Sequence, residues 1–231
     1  MAARAPDSDR DWERWGEIDP LWAVASWPGK ESGGAAPWTD EEFYATGKED
    51  WSLYLQCWDR YGLDRDSCVE IGCGAGRLTR QLATTFRTTW ALDVSDKMLA
   101  YARERVKDAS VSFVRVSGGS IPLPDASASA VFSTFVFQHF DSLSHGAAYF
   151  QEIARVLRPG GSTLIHLPMH SWPWDRPGFE LLHRLFCAID DARAWVRRQL
   201  APLGARPAMR GLSYPVPWLF EKLRAAGFAD I

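Results

Sequence analysis

From Ser67 onward the chain alternates short apolar runs with amphipathic helical stretches, the pattern that a layered α/β fold buries. Residues 67–71 read as a buried strand, and Leu78, Leu82 and Phe86 recur every fourth residue along one helix face. Residues 88–93 form a second strand, after which Ser95 caps a helix carrying Leu99, Ala102 and Val106. Residues 111–116 alternate apolar and polar as a third strand. Residues 130–137 are apolar nearly throughout, as expected of a fourth strand covered on both faces. Phe150, Ile153, Ala154 and Leu157 share a helix face that Pro159-Gly160-Gly161 ends, and residues 163–167 make a fifth strand. Strands and helices in this order predict a doubly wound α/β fold with a mostly parallel sheet and right-handed crossovers. Such sheets bind ligands at the carboxyl ends of their strands.

The flanks divide around this core of residues 67–167. Residues 1–66 are expected to form a Trp-rich helical extension, with residues 1–10 disordered. Residues 11–38 suit short helical pieces. Residues 39–61 suit a helix opened by Thr39 with Asp40, Glu41 and Glu42, and broken once at Gly47. Trp12, Trp15, Trp22, Trp27, Trp38, Trp51 and Trp58 all precede the core; they either glue the extension to it or wall a pocket. Residues 168–214, with a helical stripe of Leu182, Leu185, Phe186 and Ile189, read as a lid over the ligand edge. Residues 215–231 hold a last core helix, 218–226, ended by Gly227, and the start of the terminal strands.

A net charge of -3 and a pI near 6.0 argue against broad binding to nucleic acid or acidic membrane, which needs a basic face. No apolar run approaches the roughly 20 residues that cross a bilayer, and the start lacks the apolar core of a secretory signal, so a cytoplasmic location is expected. Cys57, Cys68, Cys73 and Cys187 are scattered and are expected as reduced thiols; His and carboxylates do not cluster at ligand spacing, so no metal is expected.

The stretch Val69-Glu70-Ile71-Gly72-Cys73-Gly74-Ala75-Gly76-Arg77 opens the site. A dinucleotide loop wants Gly-x-Gly-x-x-Gly, but its third glycine position is Arg77 here. Glu70, at the strand's carboxyl end, would repel a pyrophosphate and suits a positively charged ligand. Asp93, ending the second strand, can accept both hydroxyls of a ribose through its two oxygens. The turn therefore suits an adenosine with a cationic tail better than a dinucleotide.

Here the sequence resembles the class I, Rossmann-like methyltransferases that use S-adenosylmethionine. Glu70-Ile71-Gly72-Cys73-Gly74-Ala75-Gly76 resembles their first motif. The likeness continues through Ala91-Leu92-Asp93-Val94-Ser95 with Met98, Ile121-Pro122-Leu123-Pro124-Asp125, Val136-Phe137-Gln138-His139, Leu157-Arg158-Pro159-Gly160-Gly161 and Leu223-Arg224-Ala225-Ala226-Gly227-Phe228. The resemblance implies S-adenosylmethionine as cofactor. Gly72, Gly74 and Gly76 would let the backbone approach its methionine portion, near which Glu70 favours positive charge. Asp93 would take the ribose, with Val94 and Met98 flanking the adenine, although Met98 equally suits core packing. Phe135 would face the methionine portion, and Arg77 would either pair with its carboxylate or solvate a helix. The family often places an Asp before the Leu-Pro motif to bind the adenine amino group; this chain has Ser117-Gly118-Gly119-Ser120, so adenine is expected to be read by backbone groups such as those of Gly118 or by the Ser117 hydroxyl. Family members usually end in two further strands, whereas this sequence stops at Ile231; either it is a truncated form or the edge is completed otherwise, since an open edge beside the fifth strand would be an association hazard.

The implied activity is methyl transfer to oxygen or nitrogen of a small-molecule acceptor, driven mainly by proximity and alignment. The candidate bases are His139, in the fourth motif, and His170, at the lid entrance; His139 also suits tying the following turn, and His166 is expected buried within the fifth strand. His183 would line a lid helix, and Arg193, Arg197 and Arg198 would either attract an anionic acceptor or face solvent. An acceptor pocket is expected between Tyr44 and Trp51 on one side and Trp172, Trp174, Phe179 and Tyr214 on the other. Neither nucleic acid nor membrane is an expected partner, and a monomer or homodimer is expected. The alternative is a protein that binds S-adenosylmethionine without transferase activity, as a regulator or partner subunit.

Overall fold

The computed structural model describes residues 7–32, 36–171 and 211–231, with positions 196, 207 and 209. Its centre is a five-stranded, all-parallel sheet in the order β3-β2-β1-β4-β5. The strands are β1 (Ser67–Ile71), β2 (Thr88–Asp93), β3 (Val111–Arg115), β4 (Ala128–Ser133) and β5 (Leu157–Ile165). Helices α4 (Thr79–Thr85), α5 (Asp96–Arg105) and α6 (Leu143–Val156) connect them, and α7 (Val216–Ala226) packs beside α6. Every residue of β1 and β4 is buried, which explains their runs of apolar and small residues, broken only by Glu70 in β1. Two short parallel strands, β6 (Met169–His170) and β7 (Tyr214–Pro215), form a separate pair. Among the described residues β5 pairs with β4 alone, and no helix is long and apolar enough to cross a membrane. The lid stripe at Leu182, Leu185, Phe186 and Ile189 lies outside the described residues, as do Trp172, Trp174, Phe179, His183, Cys187, Arg193, Arg197 and Arg198.

Several boundaries differ from the sequence expectation. Residues 7–10, expected disordered, begin helix α1 (Asp7–Ile18), which packs on α5. The Glu13 carboxylate accepts the Asp96 amide at 2.7 Å, and Trp15 is buried against Trp22. A short α2 (Pro20–Val24) follows, capped by the Asp19 side chain. The fourth strand stops at Ser133, because Phe135 turns the chain out of the sheet with φ +58°. The fifth strand starts at Leu157, where a bulge lets Leu157 pair with Ala128, and Pro159 sits in a strand that among the described residues is paired on one side only, where its missing N–H costs little. His166 falls just past that strand and is exposed.

Gly47 also does not break its helix. Helix α3 (Asp40–Trp58) is continuous, opened by a capping box between Thr39 and Glu42. Two turns apart, Trp51 and Trp58 lie against Phe132 of β4; the Trp58 indole N–H donates to Ser162 Oγ at 2.8 Å. Burying each indole contributes on the order of 4 kcal/mol. A Cβ at Gly47 would stand 2.5 Å from the Arg77 carbonyl oxygen, so glycine is what lets α3 reach the turn after β1. Gly47→Ala is therefore expected to destabilise the protein by about 1–3 kcal/mol, despite alanine's better helix propensity. Chemical denaturation checks this, and a stabilised variant would show that the contact relaxes freely.

Candidate functional site

The turn after β1 folds onto the end of β2. Gly72 and Cys73 both donate their amides to the Leu92 carbonyl, at 2.8 and 2.9 Å. Gly72 and Gly74 have φ of +74° and +52°, and side chains there would strike Val136 and Val24. Asp93 closes the arrangement: its Oδ2 accepts the Gly74 amide at 2.8 Å and its Oδ1 accepts the Ser95 amide at 2.9 Å. Burial pushes its carboxyl up to about 6, against the pull of those amides.

A cavity of about 330 Å³ opens here, at the carboxyl ends of the strands. Gly72 and Gly74 line it with Arg77, Asp93, Val94, Met98 and Phe135, all residues expected at a cofactor site. Phe135, 43% exposed, holds a left-handed backbone that costs a non-glycine residue on the order of 1 kcal/mol, and its ring meets His166 at 4.4 Å. Strain of this kind collects at functional sites. Glu70 reaches a smaller neighbouring cavity of about 30 Å³ that shares Gly72, Arg77, Thr134 and Phe135 with the larger one. Thr79 Oγ1 donates to its Oε2 at 2.5 Å, and burial pushes its carboxyl up to about 7.

Other expected residues sit differently. Gly76 lies off the large cavity and lets the turn pack closely on Ala102 and Val106. Arg77 already has a partner, Asp50 of α3, at 2.5 Å, and Thr46 Oγ1 at 3.3 Å. Met98 serves both readings, packed in a cluster with Trp15 and Ala23 while lining the cavity. Ser117 stands behind the wall, its hydroxyl donating to Asp9 Oδ2 at 2.8 Å, and Gly118 is beside it. His139 lines the cavity, edge-on to Trp12 at 5.0 Å; His170 does not, and its Nδ1 meets Ser213 Oγ at 2.8 Å. Tyr44 and Trp51, expected in an acceptor pocket, face the core instead. The Tyr44 hydroxyl donates to the Ala75 carbonyl and the Trp51 indole to Thr85. Tyr214 is likewise buried, donating to the Phe137 carbonyl at 2.9 Å.

Trp12 fits the pocket-wall reading of the N-terminal indoles, whereas Ser8 and Asp9 of α1 fall in the stretch expected to be disordered and escape sequence reasoning. Ser8, Asp9 and Trp12 line the cavity, and the Ser8 amide donates to Asp141 at 3.2 Å. The available signal was Trp12 and Trp15 at helical spacing behind an acidic start, a helix N-terminus with an apolar face. Val24, Trp27, Phe140, His145 and Tyr149 complete much of the wall.

A parallel sheet with a glycine turn after β1 and an acidic residue ending β2 defines a Rossmann-like nucleotide-binding protein. Residues 69–165 match the family described as a methyltransferase domain. Demethylmenaquinone methyltransferase of Tropheryma whipplei (strain Twist) is 30% identical over 100 residues, 43% of this chain and 41% of that protein. Malonyl-[acyl-carrier protein] O-methyltransferase of Hahella chejuensis is 34% identical over 105 residues, 43% of this chain and 37% of that protein. The chain thus spans less than half the length of these relatives. The fold matches phosphoethanolamine N-methyltransferase 1 of Haemonchus contortus, solved with phosphoethanolamine and S-adenosylhomocysteine, with a TM-score of 0.53 at 17% identity, covering 68% of this chain and 31% of that one. Residues 69–165 thus resemble a methyltransferase domain, carried on a sheet of Rossmann-like order.

Proposed function

We propose that the protein transfers a methyl group from S-adenosylmethionine to oxygen or nitrogen of a small organic acceptor. The observation that carries this reading is the cavity at the strand ends, where the Asp93 carboxylate, the glycine turn and the strained Phe135 converge. When bound, the cofactor supplies an electrophilic methyl on a sulfonium, a leaving group that needs no acid. The chain's own residues then have to hold and align. Asp93 accepts the ribose hydroxyls, Gly72 and Gly74 offer a backbone floor, Val94 and Met98 flank the base, and Glu70 favours the cationic end. Arg77, neutralised by Asp50, shapes the floor rather than supplying free charge.

The relative named for demethylmenaquinone supports an acceptor with an organic, largely apolar body. Trp12, Trp27, Phe135 and Phe140 give the cavity aromatic walls suited to one. Where the attacking atom carries a proton, His139 in the wall is the group we assign to take it.

The test is turnover. The purified chain is expected to convert S-adenosylmethionine to S-adenosylhomocysteine only with an acceptor from a panel of quinols, phenols, amines and acyl carboxylates, read by mass spectrometry of both products. Tight cofactor binding with no product from any acceptor would point to a binding protein without transferase activity.

A further inference from the structure

The floor of the large cavity follows the order of the sheet. The glycine turn stands past β1, Asp93 ends β2, and Val116 and Ser117 follow β3, with the Val116 amide bonded to the Asp93 carbonyl. A nucleoside held by its ribose on Asp93, with its tail over the turn, therefore directs its base toward β3. There the wall comes from α1 of the extension, which brings Asp9 into the cavity. Asp9 is 7% exposed, and Ser117 Oγ donates to its Oδ2 at 2.8 Å. The Gly118 backbone also bonds to this carboxylate, while burial pushes its pKa up. A carboxylate has about four acceptor positions, so these two donors leave capacity unused. Beside it, the cavity-lining His145 has a buried Nε2 with no hydrogen-bond partner among the described residues. A wall with spare polar capacity at the base end is built to meet a polar edge.

We infer that Asp9 reads the exocyclic amino group of the cofactor's adenine, accepting one of its N–H bonds. This rests on the proposed cofactor reading. An adenine presents a donor at that position, whereas a 6-oxo base presents an acceptor that the carboxylate repels. Helix α1 is thereby both a roof of the site and the source of its base specificity, and Ser117 is a positioning residue that orients Asp9.

Calorimetric titration of the full chain with S-adenosylhomocysteine and with S-inosylhomocysteine, in which oxygen replaces the amino group, tests this. The wild type is expected to prefer the adenosyl ligand by about 10-fold or more. Asp9→Asn still accepts from Ser117 through its carbonyl and turns an N–H outward, so its preference is expected to vanish or reverse. Asp9→Ala, as a second variant, is expected to bind both ligands within about 3-fold of each other. A purely structural Asp9 would weaken both ligands equally. An unchanged ratio in a folded variant overturns the inference, and so does indifference in the wild type. A wild type that binds neither ligand overturns the cofactor reading itself, and this inference falls with it.

Discussion

Asp93→Ala is expected to remove measurable binding of S-adenosylhomocysteine, lowering affinity by on the order of 100-fold or more. Two ribose hydroxyls donating to one carboxylate are charge-assisted hydrogen bonds worth about 1.5–3 kcal/mol each. The same side chain accepts the Gly74 and Ser95 amides, so its loss also loosens the turn that forms the floor. Asp93→Asn separates the two contributions: it keeps one carbonyl acceptor and loses the charge, and is expected to fall between wild type and alanine. Protonation acts in the same sense. With the Asp93 carboxyl at about 6, affinity is expected to be flat above pH 7 and to decline as pH drops through 6. Titration calorimetry on variants with native-like thermal melts reads all three. Alanine binding within about 5-fold of wild type would remove Asp93 from the ribose, since even one lost charged hydrogen bond exceeds that.

Much of this site was legible in the sequence because its parts are local. Strands buried on both faces leave apolar runs, and residues 67–71 and 88–93 were read with the boundaries the structure shows. Ser95 announced itself as a cap by residue type and position, and it accepts the Met98 amide. What failed depended on contacts distant in sequence. Gly47 looks like a helix breaker until the Arg77 carbonyl is seen against it. Pro159-Gly160-Gly161 looks like a stop until Leu157 is found pairing across a bulge. Asp9 and Ser117 lie 108 residues apart, and no local pattern links them. Apolarity carries the fourth strand on to residue 137, because it cannot report the positive φ at Phe135.

Glu70→Gln is expected to stabilise the ligand-free protein at pH 8 while weakening it as a binder. The carboxyl of Glu70 moves from 4.5 to about 7 on folding, chiefly because it is buried. A carboxyl raised in the fold takes up a proton on folding between these values, so stability falls as pH rises through that window, and the full cost stands above about pH 7. Asp93, raised from 3.8 to about 6, acts with the same sign at lower pH. Glutamine cannot ionise and still accepts from Thr79 through its amide oxygen. At pH 8 the variant should thus gain on the order of 3 kcal/mol, a rise in melting temperature of roughly 5–10 °C. At pH 4, where Glu70 is protonated in both states, the gain should disappear. A fold keeps an unfavourable buried charge where a ligand uses it, and stability is then traded for function. S-adenosylmethionine and S-adenosylhomocysteine carry the same amino group, so both are expected to bind the variant about 10-fold more weakly, as befits one lost charge-assisted contact. Melting curves at the two pH values and titrations with both ligands decide the matter. A variant no more stable at pH 8 would mean that Glu70 is neutral in the fold already, and unchanged affinity would take it out of the site.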